Sequence, residues 1–468
     1  MSLVFMSLAQ ASAALRRREI SSVELVDEML LRIEGINPQL NAFLRVDSDL
    51  VRAQARAADL EQSRGQVRSL LHGIPLAHKD MFYRAGVPSS CGSAVTLPVP
   101  KTTSTALERL DAAGVLQVGV LNMTAFAVGP TGHNRSTGNC RNPWNVERIT
   151  GGSSSGSAAA VAAGASFAAL GSDTAGSIRI PAALCGVTGL KPTYGRVSRA
   201  GTMGLAFTLD TVGPLARSAL DCAMILNVIA GPDDADPTTA MTDRTDYLRR
   251  IDRSVRGLRI GIATTFFNEG LDLEIDRALK ESLLLLKELG CTFVPVHVPD
   301  MTALNAAASL IFSCEVAALH RELIHEQHSA YGRQMLIRLE HGFAVPAPSY
   351  VNALRYRSVA INEFIKLVFS EVDVLHLPVV PILTPTIAAS DVETGEGVER
   401  TVSQLVKFTR PINYLGLPAL ALPIGFSSDG MPISMQLVGR PFDEDLLLRL
   451  GHAYQSTTDW HLQRPRLC

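Results

Sequence analysis

The chain has 468 residues, 47% of them hydrophobic and 19% charged, which excludes a disordered or collagen-like polymer and admits one large domain or roughly two to three ordinary ones. With 43 Lys plus Arg against 45 Asp plus Glu the formal charge is −2, which gives no electrostatic reason to expect nucleic acid or an anionic membrane as a partner. The seven cysteines (Cys91, Cys140, Cys185, Cys222, Cys291, Cys314, Cys468) are odd in number, scattered and free of any C-x-x-C pair, so neither a disulfide framework nor a thiolate zinc site is predicted and a reducing cytoplasm fits best.

Met1 to Leu15 is apolar and carries Ala11-Ser12-Ala13, a small-residue pattern like that of a leader cleavage site. No basic residue precedes it and Arg16-Arg17-Arg18 follows, so it reads as a first helix. Ser21-Ser22-Val23-Glu24 is a capping box, Leu25, Met29 and Ile33 recur at helical spacing, and Gly35 with Pro38 should stop that helix. Residues 48–62 read as another polar-faced helix, which makes 1–65 a mostly helical segment expected to pack on the core. Strands and helices then alternate: a strand at Ile74–His78, a helix at 105–110 closed by Gly114, a strand at 115–120, an Ala-rich helix over 157–169, a strand at 258–262, a helix over 273–289, a strand at 292–298, and apolar runs at 372–380 and 433–438. This alternation predicts an α/β fold with a largely parallel or mixed sheet covered by helices on both faces. Gly231 to Pro237 and 394–397 read as loops. No stretch reaches the roughly 20 apolar residues that span a bilayer, so no membrane is expected.

Three segments could carry chemistry. Gly151-Gly152-Ser153-Ser154-Ser155-Gly156-Ser157 runs straight into an apolar helix, unlike a free linker. It lacks the Gly-Lys-Ser/Thr of a phosphate loop. Gly152 to Gly156 matches G-x-S-x-G with Ser154 at the centre, but the lead-in Pro143 to Arg148 is not the buried strand a nucleophile elbow needs. Downstream, Ser172-Asp173-Thr174-Ala175-Gly176-Ser177-Ile178-Arg179 offers further hydroxyls, which need a base to act as nucleophiles. Asp173 is better suited to orienting backbone amides and Arg179. Lys79, at the end of the Ile74–His78 strand, is one of 7 lysines in a chain with 36 arginines, and only lysine can give up its proton at a buried site.

His72-Gly73-Ile74-Pro75-Leu76-Ala77-His78-Lys79-Asp80, the Gly/Ser loop, and Gly171 to Ala182 together resemble the amidase signature family; Gly186 to Arg199 and Leu415-Gly416-Leu417-Pro418-Ala419 are similar to further segments of it. The likeness is strongest from about 72 to 230 and fades between about 240 and 400. It implies a single large α/β domain over 66–468, a mixed twisted sheet between helices, with 232–400 a variable excursion forming the wall of the substrate pocket. It also implies a Ser–cis-Ser–Lys triad: Ser177 as nucleophile, Ser153 as the bridging serine after a cis peptide, and Lys79 as base. Backbone N–H groups of Thr174, Ala175, Gly176 and Ser177 would hold the oxyanion, Ser154 would support the network, and Met123 and Phe126 would line the substrate cavity. A Lys79 kept neutral by burial would take a proton through Ser153 while Ser177 attacks. The chain departs from the family pattern at Ala175, where Gly is frequent, and at Asn122-Met123-Thr124-Ala125-Phe126, which lacks an acidic residue before the Phe.

The resemblance implies an amidase that cleaves a small carboxylic amide to acid plus ammonia or amine, with no metal and no organic cofactor. The expected partner is the small-molecule amide alone, without nucleic acid or membrane, and a homodimer is open. The alternative is the glutaminase component of a tRNA-dependent amidotransferase. That component usually carries an acidic residue two positions before the Phe of its Phe-Thr-x-Pro segment, and Phe408-Thr409-Arg410-Pro411 has Val406 there, with Asp391 or Glu393 as substitutes from elsewhere. A Ser-His-Asp hydrolase built on Ser154 and a non-catalytic homologue are further alternatives. His320, Glu322, His325, Glu326 and His328 cluster on one predicted helix, but His325 and His328 are three apart, so the H-E-x-x-H zinc motif is not met and a solvated face is expected. His78 points to the strand face opposite Lys79 and is read as structural.

Overall fold

The structure is a computed structural model and describes residues 3–242, 245–331, 333–391 and 397–467. Thirteen strands are found among the described residues: β1 (Phe43–Val46), β2 (Pro75–Lys79), β3 (Leu116–Leu121), β4 (Arg141–Asn142), β5 (Asn145–Ile149), β6 (Ala168–Asp173), β7 (Thr188–Lys191), β8 (Thr211–Ala216), β9 (Arg259–Ala263), β10 (Thr292–Val296), β11 (Val374–Pro378), β12 (Ala419–Phe426) and β13 (Pro432–Val438). Eleven of them form one sheet in the order β1-β3-β2-β6-β8-β7-β12-β13-β11-β9-β10, and β4 and β5 pair separately. Pairing is parallel at β2/β3, β2/β6, β11/β9 and β9/β10 and antiparallel elsewhere, so the sheet is mixed. Every residue of β6, β7, β8, β11 and β13 is buried, as expected of strands covered on both faces.

Two elements differ from the sequence reading. The helix Ser22–Leu40 keeps the Ser21/Glu24 capping box but runs through Gly35 and Pro38 and ends at Asn41, which adopts φ 51°. Pro38 stands in the last turn, where its missing N–H removes a single bond, and Asn41 N–H donates to the Asn37 carbonyl at 2.7 Å to close the end. The Ala-rich helix spans only Ser155–Ala162. Gly164 turns the chain at φ +73°, and Ala168–Asp173 becomes a central strand whose Ala169 pairs with Ala77 on one side and Leu215 on the other. Tertiary pairing there overrides the helix propensity of alanine. The first 65 residues are mostly helical, with β1 an edge strand held antiparallel to β3.

One helix among the described residues, Met301–Gln327 with the turn to Ala330, reaches a mean hydropathy of 1.5 and has the length and composition to cross a membrane, which the sequence reading did not expect of any stretch. Its Leu304, Ala308 and Ile311 are fully buried against Phe364, Leu375 and Ile412 in a second core cluster.

The parallel pair β2/β6 positions the site. Its register places His78 beside Leu170, so Lys79 at the end of β2 and Ser172-Asp173 at the end of β6 leave the sheet together, at the carboxyl ends where open α/β sheets place their ligands. Of the loop expected at 394–397, residues 394–396 lie outside the described residues and Gly397 opens the helix Gly397–Val406.

Candidate active site

Lys79 is completely buried, and its Nζ donates to Ser153 Oγ at 2.7 Å and to Ser172 Oγ at 2.9 Å. Burial pulls the amine down from its ordinary value to about 7, against the opposing pull of Asp210, Asp173 and Cys91, which favour the ammonium. The amine is therefore poised to exchange a proton near neutrality.

Ser153 follows a cis peptide bond from Gly152. The turn is pinned on both sides: Gly152 N–H donates to the Pro130 carbonyl at 2.7 Å, and Thr124 N–H donates to the Ser153 carbonyl at 3.1 Å. A side chain at Gly152 would meet Thr124 Oγ1 at 2.7 Å and the Gly132 nitrogen at 2.8 Å, so only glycine fits there. Ser154 is fully buried. Its N–H donates to the Ser177 carbonyl at 3.2 Å, which sets the Ser177 turn against the Ser153 turn, and its Oγ donates to the Ser172 carbonyl at 3.3 Å.

The Ser177 turn is held by a buried ion pair. Arg179 donates to Asp173 through Nε at 3.0 Å and through one Nη at 3.1 Å, and both side chains are inaccessible to solvent. Burial alone would raise the Asp173 carboxyl, but the Arg179 charge and hydrogen bonds, with Lys191 and Asn413, hold it at about 2. Arg179 also reaches Gln436 Oε1 at 2.9 Å, the Thr409 carbonyl at 3.0 Å and Asn413 Oδ1 at 2.6 Å. Breaking such a fully bonded buried pair on one side costs about 3–5 kcal/mol. Asp173 also accepts from the backbone N–H groups of Gly176 at 2.8 Å, Ile178 at 3.3 Å and Arg179 at 3.4 Å.

The same carboxylate corrects one expectation. Gly176 N–H donates to Asp173 Oδ1 at 2.8 Å, so it is committed to the turn, and the backbone donors left for an oxyanion are those of Thr174, Ala175 and Ser177. Gly176 has φ +129°, and a side chain there would run into Thr409 Oγ1 and Ile180. Thr409 Oγ1 donates to the Ala175 carbonyl at 2.6 Å and locks the turn from outside.

Ser177, Thr174 and Ala175 open onto a cavity of about 200 Å³. Its wall includes Ala127 to Pro130 on one side, Ser309, Phe312, Ser313 and His341 on another, and Val402, Val406 and Arg410 on a third. Met123 and Phe126 do not line it. The backbone turns at Phe126 (φ 48°) and Ala127 (φ 60°), sending the Phe126 ring into the core against His320 (4.6 Å) and Tyr331 (5.6 Å) and presenting the next four residues to the cavity.

The histidine-rich helix is not uniformly solvated. Glu322, His325, Glu326 and His328 are all exposed, as a solvated face requires, but His320 is buried with Nδ1 2.9 Å from the Tyr331 hydroxyl, and burial lowers it to about 4. His78 is buried and bonds Gln117 on β3 at 3.1 Å. Motif matching passes over Ser172, Asp210, Thr409, Asn413 and Gln436 as functional groups. Ser172 lies within a matching segment. Asp210 is brought in by sheet pairing, and Asn413 and Gln436 by chain more than 200 residues away with no spacing signal; Thr409, as distant, lies in the Phe408-Thr409-Arg410-Pro411 segment, read only for its neighbour Val406.

With this geometry in view, a family model described as Amidase matches residues 24–448, and the chain belongs to the amidase family. It is 41% identical to a component of the glutamyl-tRNA(Gln) amidotransferase of Roseiflexus sp. (strain RS-1), over 99% of this chain and 98% of that one. Among solved structures it is similar to a chain of one described as an unexpected vestigial protein complex that reveals the evolutionary origins of an s-triazine catabolic enzyme, at TM-score 0.92 and 34% identity over 99% and 100% of the two chains. It is also similar to a crystallised amidase, at TM-score 0.86 and 32% identity over 97% and 100%. The relatives share its α/β fold, a large mixed sheet flanked by helices.

These relatives correct the expectation of a protein without nucleic acid or protein partners. The amidotransferase name is that of one component of an assembly that works on a charged tRNA. A net charge of −2 is a whole-chain sum and does not describe the charge of any one local surface.

Proposed function

We propose that the chain cleaves the C–N bond of a carboxamide through a Ser177 acyl-enzyme, with Ser153 and Lys79 moving the proton. The observation that carries this reading is the fully buried Lys79 amine, near neutrality and 2.7 Å from Ser153, beside a cavity that Ser177 lines. Ser177 Oγ adds to the amide carbon as its proton passes to Ser153 and the Ser153 proton to Lys79. The oxyanion meets the N–H groups of Thr174, Ala175 and Ser177. The proton returns along the same path to the leaving nitrogen, which departs as ammonia or amine, and water attacking the acyl-Ser177 ester by the same relay yields the acid.

The names of the curated relatives support glutamine as the amide, with this chain as the glutaminase arm of a tRNA-dependent amidotransferase. A second reading, hydrolysis of a small amide for its own sake, is favoured by one observation. No described residue lining the cavity is Asp or Glu, and Val406 is in the wall. A substrate ammonium buried without a carboxylate loses about 3–5 kcal/mol, at least two decades of affinity. Asp391, one substitute, is 46% exposed and 3.6 Å from Arg135; Glu393 lies outside the described residues. We place the enzyme in the cytoplasm, a reading supported by six described cysteines that are all free thiols.

Ammonia release separates the two readings, measured on glutamine, aliphatic amides and aromatic amides, with and without amidotransferase partner proteins and glutamyl-tRNA. Glutamine preferred, with turnover rising when the partners are added, is the result expected of the glutaminase arm. Neutral amides preferred over glutamine by about 100-fold or more is the result expected of the second reading. No ammonia from any amide would overturn both.

A further inference from the structure

We propose that Asp210 is a positioning residue of this site, its carboxylate fastening the Thr174 end of the oxyanion turn to the Leu205 wall of the cavity; the proposal rests on the Ser177–Ser153–Lys79 reading above. The sheet places it there. In the antiparallel pair β6/β8, Asp173 stands opposite Thr211, and Thr211 Oγ1 donates to the Asp173 carbonyl at 2.8 Å. One step further along both strands sets Thr174 beside Asp210, where Thr174 Oγ1 donates to Asp210 Oδ1 at 2.6 Å. The other carboxylate oxygen accepts the Leu205 N–H at 2.8 Å, and the Ala206 N–H lies 3.1 Å from each oxygen. Thr174 and Leu205 both line the cavity, so one carboxylate ties two of its walls together.

Asp210 is only 7% exposed. Burial pushes its carboxyl up, while Thr174, the Leu205 and Ala206 amides and the charge of Arg199 favour the carboxylate. Its charge is felt at Lys79, where Asp210, Asp173 and Cys91 all favour the ammonium against burial, and at the buried Glu315 carboxyl on the other side. A carboxylate so placed does two things at once. It holds the Thr174 amide in the turn that faces the substrate oxygen, and it keeps the base from losing its proton at too low a pH.

The test uses Asp210→Asn and Thr174→Val, with thermal unfolding as the check that each is folded. For Asp210→Asn, kcat should fall by about 10- to 100-fold, the scale of a misplaced reacting geometry. The acid limb of its kcat/KM profile should move to lower pH, because a Lys79 relieved of a neighbouring negative charge sheds its proton more readily. Thr174→Val, which keeps the volume and removes the bond, should lose kcat to a similar degree, and the double variant should lose little more than either single one. Thr174→Ser should restore the loss. A merely structural Asp210 would lower the unfolding temperature and leave the acid limb unmoved. That result, an Asp210→Asn kcat within threefold of the parent, or fully additive losses would overturn the proposal. Should Asp210→Asn not fold, the Thr174→Val and Thr174→Ser pair decides alone. Activity retained in Ser177→Ala would instead sink the triad reading, and so the two failures are distinguishable.

Discussion

Ser177→Ala is expected to lower kcat for amide hydrolysis by about 10³- to 10⁶-fold while leaving the thermal unfolding of the protein unchanged. The size follows from what nucleophile deletions do when the partner groups act as one unit: the remaining machinery has nothing to activate. What survives comes from substrate binding and the backbone donors at positions 174, 175 and 177, which the substitution leaves in place. The fold should be indifferent, because the Ser177 contact that secures the turn is its backbone carbonyl, which accepts the Ser154 N–H at 3.2 Å, and its side chain lines the cavity. Ammonia release under saturating amide measures the loss. A variant within tenfold of the parent would remove Ser177 from the chemistry.

Lys79→Ala and Lys79→Arg are both expected to lose about 10³-fold or more in kcat/KM. A guanidinium carries a charge comparable to that of the ammonium and cannot surrender its proton near neutrality, so it cannot receive one from Ser153. It would also have to fit a position with no solvent exposure. The pH dependence gives the signature. With the Lys79 amine at about 7, the ammonium dominates below that value and the free base above it, so kcat/KM of the parent enzyme should rise with pH through about 7 and then level. The arginine variant should show no such limb at any residual rate. Full activity in Lys79→Arg, or a parent profile flat from pH 5.5 to pH 8.5 (about three decades of proton concentration), would end the role of Lys79 as base.

The residues that motif matching picks out, Lys79, Ser153 and Ser177, were legible because each sits in a compact segment whose neighbours are constrained: a strand end, a glycine turn without room for a side chain, and a turn closed by Asp173 and Arg179. What was not legible is what those turns lean on. Gln436, Asn413 and Thr409 come from the far end of the chain, and only the sheet order that sets β12 and β13 beside β7 brings them under Arg179. Asp210 follows from strand register, which needs β8 to be recognised, and its Gly213 and Pro214 hide that strand from any propensity rule. Alanine misled over 157–169, where the far end of the expected helix opens the strand that delivers Ser172 and Asp173. Phe126 misled through its backbone: a left-handed pair of residues turns the ring away from the cavity that the segment lines. The charge sum misled about partners because it averages a whole surface.

The most direct test of the central claim is to trap the acyl-enzyme. A fluorophosphonate, or a slow amide quenched in acid, followed by peptide mass spectrometry, should place a single adduct on the peptide carrying Ser177, and none should form in Lys79→Ala. Ser154, the centre of the competing G-x-S-x-G match, is fully buried with its hydroxyl directed at the Ser172 carbonyl and should stay unmodified. An adduct on Ser154, or turnover of the amide with no adduct on Ser177, would contradict the account.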